Sequence, residues 1–169
     1  VGERFEHLEI LAALQAAARV LRDAGCVALR GIGGYQLLVD ARSTAAVTQL
    51  RQTKQRPTKP LAVLCSLAQA EQLGDFDVVS KAAFLSPANP IVLVHRRVTA
   101  ALAEEIALPQ GDLGLMAPTT ALHHRLLELF GGPLVCTSGN REGEPLTVTV
   151  EEAERELEAM ADFFVHHSR

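Results

Sequence analysis

The chain has no tryptophan, a single tyrosine and only 4 % aromatic residues in all. Proteins that hold single-stranded nucleic acid commonly stack its bases on aromatic rings, and this composition offers almost no such platform. The core must instead be built from Val, Leu, Ile, Ala and a few Phe. Cationic excess is missing as well: the formal net charge is −4. A broad positive face for a polyanion is therefore disfavoured, although a small anion needs only a few local cations.

Cysteine is scarce. Cys26, Cys65 and Cys136 lie far apart, each inside an apolar run, and read as small buried hydrophobes rather than metal ligands or disulfide partners. No apolar stretch approaches the roughly 20 residues of a membrane-spanning helix. No signal peptide opens the chain, so the expected location is cytoplasmic. Val1 at the start and the abrupt stop at His166-His167-Ser168-Arg169 give the expectation of a single domain, 1–169, cut from a longer multidomain protein.

What is present suits a folded domain. Of the 169 residues 48 % are hydrophobic and 21 % charged, enough for a real core. Leu11, Leu14, Ala18 and Leu21 recur at helical steps and predict a helix over about 9–24, closed by Gly25. Short apolar runs predict strands at 26–29, 35–39, 61–65, 91–94, 113–116, 133–137 and 163–165. Between them the pattern predicts helices over 43–54 (N-capped by Ser43), 67–73, 78–85, 99–106, 120–130 and 150–160. Strands alternating with helices predict an α/β fold, an open sheet covered by helices, over a sandwich or a bundle.

Three segments carry chemistry. Lys54-Gln55-Arg56-Pro57-Thr58-Lys59-Pro60 puts three cations within six residues. Pro57 and Pro60 keep them off one regular helix. Arg supplies a planar fork and Lys a mobile point charge, a mixture suited to a polyphosphate; the plain alternative is a solvated turn. Thr137-Ser138-Gly139-Asn140 leaves a strongly apolar strand. Its hydroxyls, amide and glycine suit phosphate oxygens or a hydrated Mg2+, or else simply a turn. Gly31-Ile32-Gly33-Gly34 follows a strand without Rossmann or P-loop spacing. It reads as a turn needing positive φ or as a close approach of backbone to ligand. His123 and His124 diverge on a helix and cannot form a two-histidine metal pair. No serine–histidine–aspartate arrangement can be inferred from residue order alone.

Together these segments resemble the YrdC-like domain, above all the version within the HypF carbamoyltransferases of hydrogenase maturation. Arg30-Gly31-Ile32-Gly33-Gly34-Tyr35-Gln36-Leu37, the stretch Leu50 to Val63, Leu85-Ser86-Pro87-Ala88-Asn89-Pro90-Ile91-Val92-Leu93, Thr137-Ser138-Gly139-Asn140 with Gly143-Glu144-Pro145-Leu146, and the ending Phe164 to Arg169 fall in family order. Departures are Gln36 for a histidine, Thr119 for a tyrosine, Ala121 for a proline, and Arg141-Glu142 for a smaller pair.

The resemblance implies a twisted, open mixed sheet with helices packed on it and a basic face that holds ATP. It implies an enzyme that adenylates carbamate, derived from carbamoyl phosphate, to carbamoyl adenylate with release of pyrophosphate. Lys54, Arg56 and Lys59 would be the catalytic, triphosphate-gripping cations. Ser138 and Asn140 would position phosphates and Mg2+, Thr120 and His123 would line the pocket, and Arg169 would close it. ATP and Mg2+ are the implied cofactors. The implied partners are the missing sister domains of a larger carbamoyltransferase and a downstream hydrogenase-maturation protein. The alternatives are a threonylcarbamoyl-adenylate synthase for tRNA modification and a non-catalytic RNA-binding module, the latter disfavoured by charge and aromatic poverty.

Overall fold

A computed structural model describes residues 2–107 and 111–167, apart from the side chains of residues 2–8. The order is α1 Gly2–Arg22, β1 Val27–Arg30, β2 Tyr35–Asp40, α2 Thr44–Lys54, β3 Ala62–Leu64, α3 Leu67–Leu73, β4 Gly74–Asp75, α4 Val78–Phe84, β5 Val92–Arg96, β6 Asp112–Met116, α5 Ala121–Phe130, β7 Leu134–Ser138, α6 Val150–Glu156 and β8 Phe163–Val165. The eight strands form one sheet in the order β4-β5-β6-β3-β7-β2-β1-β8. It is mixed: β1–β8 and β3–β6 run parallel, and the other neighbours run antiparallel. The expected open α/β sheet is what forms.

Local chemistry explains the element ends. Ser43, Ser66, Asp77, Thr120 and Thr149 each cap a helix by accepting a backbone N–H of its first turn. The predicted strand 163–165 and helix 67–73 match the observed elements residue for residue. Other bounds moved. α1 starts at Gly2 rather than near residue 9, and α6 stops at Glu156 rather than 160.

The helix expected over 99–106 is absent, and only a 3-10 turn at Glu104–Ile106 remains. Arg96 explains this, because its Nη2 donates to the carbonyls of Ala100 and Leu102 at 3.2 and 2.7 Å. Those carbonyls take a side-chain partner, while Ala100, Leu102 and Ala103 turn inward to the core. The two-residue β4 escaped notice because so short an element carries no alternation.

Successive strand residues face opposite sides, and the register assigns each side its cover. Leu37, Val39, Val63, Leu113, Leu115 and Val135 pack with Val47 and Leu50 of α2, Leu73 of α3, Phe84 of α4 and Ala153 of α6. On the other side Leu38, Leu64, Met116 and Cys136 pack with Leu14, Ala18 and Leu21 of α1 and Leu126 and Phe130 of α5. The three cysteines are free and buried. Among the described residues no cluster of His, Cys, Asp or Glu could hold a metal ion, and no helix is long and apolar enough to cross a membrane.

The cover of the second side is incomplete. Cys136 pairs with Ala62, Ala62 with Gly114, and Gly114 with Leu93, so all four face that side. Beyond Cys136 the helices stop. In β5 Leu93 is 63 % exposed while Val92 and Val94 are buried, and Ile91, just before the strand, is 56 % exposed. A Cβ on Gly114 would meet Ile91 Cγ2 at 2.9 Å, so the glycine lets Ile91 lie across it. Ala62, Gly114, Leu93 and Ile91 thus form an open apolar floor.

Candidate functional site

The cation segment begins where α2 ends. Gln55 adopts the left-handed conformation (φ 55°), and the N–H groups of Gln55 and Arg56 turn back to the carbonyls of Gln52 and Arg51. Pro57 holds Arg56 out of helical geometry. The loop is then clamped from behind by Arg51. Its Nη1 donates to the carbonyls of Arg56 and Lys59, both at 2.9 Å, while Nε and Nη2 donate to the carbonyl of Glu105 at 3.1 and 2.5 Å. One planar fork, charged throughout, fixes a loop that has no regular structure of its own. Sequence reading passed over Arg51 because its role lies in carbonyls that only the fold brings together.

Lys54 departs from its expected place. It is 1 % exposed, and its ammonium donates to Ser138 O at 2.6 Å, Asn140 O at 2.5 Å and Asn140 Oδ1 at 3.3 Å. Its three N–H donors are thus all spent on the loop that follows β7. Burial, and next the charge of Arg56, push its pKa down to about 8, which leaves it a cation at neutral pH. Arg56 and Lys59 stay nearer solvent. Arg56 donates through Nη2 to Pro60 O at 2.8 Å, and its Nε has no protein partner. Lys59 pairs with Glu142 at 2.5 Å.

The Ser138–Asn140 loop is fully wired. Ser138 Oγ–H donates to Asn140 Oδ1 at 2.5 Å, and Asn140 Nδ2 donates to Glu144 O at 2.6 Å. Asn140 Oδ1 thus serves Ser138 and Lys54 together, so the part expected for it toward Mg2+ gives way to loop building. Ser138 Oγ keeps its lone pairs and is exposed.

Gly139 is needed for a close approach, though to protein rather than to ligand. Its N–H donates to Tyr35 O at 2.7 Å, and a Cβ would meet that same oxygen at 2.7 Å. Gly34 shows the expected positive φ (145°) and packs on Leu146 and Thr147, so the Gly31–Gly34 hairpin leans on the same loop. Gln36 faces the same side as Ser138, its register partner, and its Oε1 is buried without a partner.

Thr120 and His123 lie at the far end of the floor. They follow the C-terminal end of β6, whereas the cations precede the N-terminal end of the parallel β3. A five-residue strand separates the two groups by roughly 15 Å, so one ligand reaching both must lie along the floor. His123 is 1 % exposed, with Nδ1 at 2.8 Å from Thr120 Oγ1 and 3.3 Å from Thr119 Oγ1. Thr120 Oγ1 accepts the His123 backbone N–H, so its own hydrogen is available to Nδ1. Nε2, on the other side of the ring, is buried without a protein partner. Burial, followed by the neighbouring His124, lowers the His123 pKa to about 4, which makes it neutral at pH 7. Arg169 lies outside the described residues. The segment before it is pinned by Arg30 and His167, which exchange hydrogen bonds at 3.0 and 2.9 Å, and by Tyr35 Oη at 2.6 Å from His166 Nδ1.

Two cations, an exposed hydroxyl and an apolar strip beside them are the makings of a site for an anion attached to a planar group. Residues 19–169 match the profile of the Sua5/YciO/YrdC family, described as telomere recombination. The chain belongs to that family. It is 42 % identical over 160 residues to the carbamoyltransferase HypF of Rhodobacter capsulatus, covering 93 % of this chain and 21 % of the relative. It is also 37 % identical over 158 residues to HypF of Synechocystis, again covering 93 % and 21 %. This family domain thus spans about a fifth of the length of those curated relatives. Among solved structures it superposes with a TM-score of 0.89 and 34 % identity on full-length HypF in a phosphate- and nucleotide-bound form, covering 93 % of this chain and 25 % of that one. On HypF of T. kodakarensis the TM-score is 0.87 at 29 % identity, covering 92 % and 21 %. Sua5 of P. abyssi, at 20 % identity and a TM-score of 0.78, shares the fold.

Proposed function

We propose that this domain binds ATP along the open floor and adenylates carbamate, derived from carbamoyl phosphate, as the first half of a HypF-type carbamoyl transfer. The observation that carries the reading is the juxtaposition of Arg56, Lys59 and Ser138 with the apolar strip of Ala62, Gly114, Leu93 and Ile91. Phosphates need the former, and a flat base can lie on the latter. The nucleotide in the superposable HypF structure supports the choice of ligand.

In the proposed reaction a carbamate oxygen attacks the α-phosphorus and the bond to the bridging β-phosphate oxygen breaks. Pyrophosphate departs with the electron pair. No proton must be taken from the attacking carboxylate, and no enzyme nucleophile is needed. Catalysis comes from alignment and from cations placed where charge builds on the leaving group. Arg56 and Lys59, which stay nearer solvent than Lys54, supply that charge. Lys54 is a positioning residue that holds the Ser138–Asn140 loop in place. Mg2+, when bound, would neutralise phosphate oxygens. Ser138 Oγ is the group here suited to it or to its water shell, in keeping with a metal held mainly by phosphates and water. The sister domains of a longer chain would take the adenylate onward toward a hydrogenase-maturation partner.

Calorimetric titration with Mg·ATP tests the binding half. Charge-assisted hydrogen bonds contribute about 1.5–3 kcal/mol each, so Arg56→Ala and Lys59→Ala are each expected to weaken ATP by about tenfold or more. Wild-type affinity in both variants would refute their assigned roles.

A further inference from the structure

Among the described residues, Glu142 places its carboxylate against Lys59, and the nucleotide reading leaves it without a part. Its Oε1 stands 2.5 Å from Lys59 Nζ. It is not there by chance of a flexible side chain, because its backbone N–H donates to the carbonyl of Lys54 at 3.2 Å. The residue that ties down Ser138 and Asn140 thereby also fixes where Glu142 starts. Its carboxyl is held below the usual range, first by the Lys59 hydrogen bond and, against some desolvation, by the charges of Lys59, Arg56 and Lys54. This carboxylate therefore sits in the field of all three cations, and the opposing positive charges balance it in the nucleotide-free protein.

We infer that Glu142 is a resident anion of the triphosphate site, a carboxylate that occupies Lys59 until a phosphate group displaces it. The inference rests on the nucleotide reading and deepens it. Lys59 cannot give the same ammonium face to Glu142 and to a phosphate, and a carboxylate left beside a triphosphate repels it. Binding must break one ion pair before it makes another, so Glu142 raises the nucleotide concentration needed to fill the site. The pair is exposed, and exposed pairs are weak. The barrier to displacement is accordingly small, and the carboxylate works as a threshold rather than a block.

The test is a gain of affinity, which a folding defect cannot imitate. Mg·ATP is titrated into wild type, Glu142→Gln, Lys59→Ala and the double variant. Glu142→Gln keeps size and hydrogen bonding while removing the charge, and is expected to bind ATP about three- to fivefold more tightly. In the Lys59→Ala background the gain should shrink to less than half of that. Equal or weaker ATP binding by Glu142→Gln overturns the inference and leaves the nucleotide reading standing. A gain undiminished without Lys59 overturns it too, because the effect would then be general charge. Failure of ATP to bind either wild type or Glu142→Gln brings down both.

Discussion

Lys54→Met should lower the stability of the domain by about 3 kcal/mol and abolish measurable ATP binding, although Lys54 offers no free donor to a phosphate. The ammonium is spent on Ser138 O, Asn140 O and Asn140 Oδ1. Methionine keeps most of the volume and removes all three donors. Hydrogen bonds from a charged group contribute about 1.5–3 kcal/mol each, and the Asn140 carbonyl, which loses its donor, adds a desolvation cost. The saving from no longer burying a charge offsets part of this, which is why the net figure stays near that of one or two bonds. For a chain of this length about 3 kcal/mol corresponds to roughly 10 °C in Tm. With the anchor gone, the loop that carries Ser138 and Asn140 loses its fixed position. Thermal unfolding together with ATP titration checks both halves. A variant with wild-type Tm and wild-type ATP affinity would show that Lys54 is not the hub of the site.

His123 governs the second large effect, and it depends on pH. Its pKa in the folded chain, about 4, lies below the ordinary 6.5 because the ring is buried without a partner for its charge. The unfolded chain therefore takes up a proton first as pH falls. The stability this group contributes is fully present above about 6.5, declines through the window between 6.5 and 4, and is gone below it. The shift corresponds to about 3 kcal/mol across that window. Urea unfolding at pH 7.5 and pH 4.5 should show a fall in wild type that is smaller by about 2 kcal/mol in His123→Asn. Asparagine can still accept the Thr120 hydroxyl but does not titrate. The same fall in both proteins would place the acid sensitivity elsewhere.

Much of the fold was legible because the helices announce themselves by caps and periodicity: Ser43 and the run Leu67–Leu73 needed only local chemistry. The 99–106 segment was misread because a long-range partner, Arg96, takes the carbonyls that a helix would have used. The site was legible in part. Three cations in a proline-bounded turn and a Ser-Gly-Asn loop were visible as groups able to hold phosphate. That Lys54 would turn inward was not visible, because it follows from the register that sets Ser138 beside the end of α2. The apolar floor was hidden for a similar reason. Leu93 and Ile91 look like core residues in a strand, and only the limits of α1 and α5 leave them bare. Arg51 and Glu142 act through atoms distant in sequence, and no local pattern marks them.

The proposal that this domain makes a carbamoyl adenylate is tested most directly by exchange of labelled pyrophosphate into ATP. Exchange should appear with Mg·ATP and a source of carbamate, and should fall at least tenfold in Arg56→Ala. Exchange that requires threonine plus bicarbonate instead, or none with either acyl donor, would contradict it.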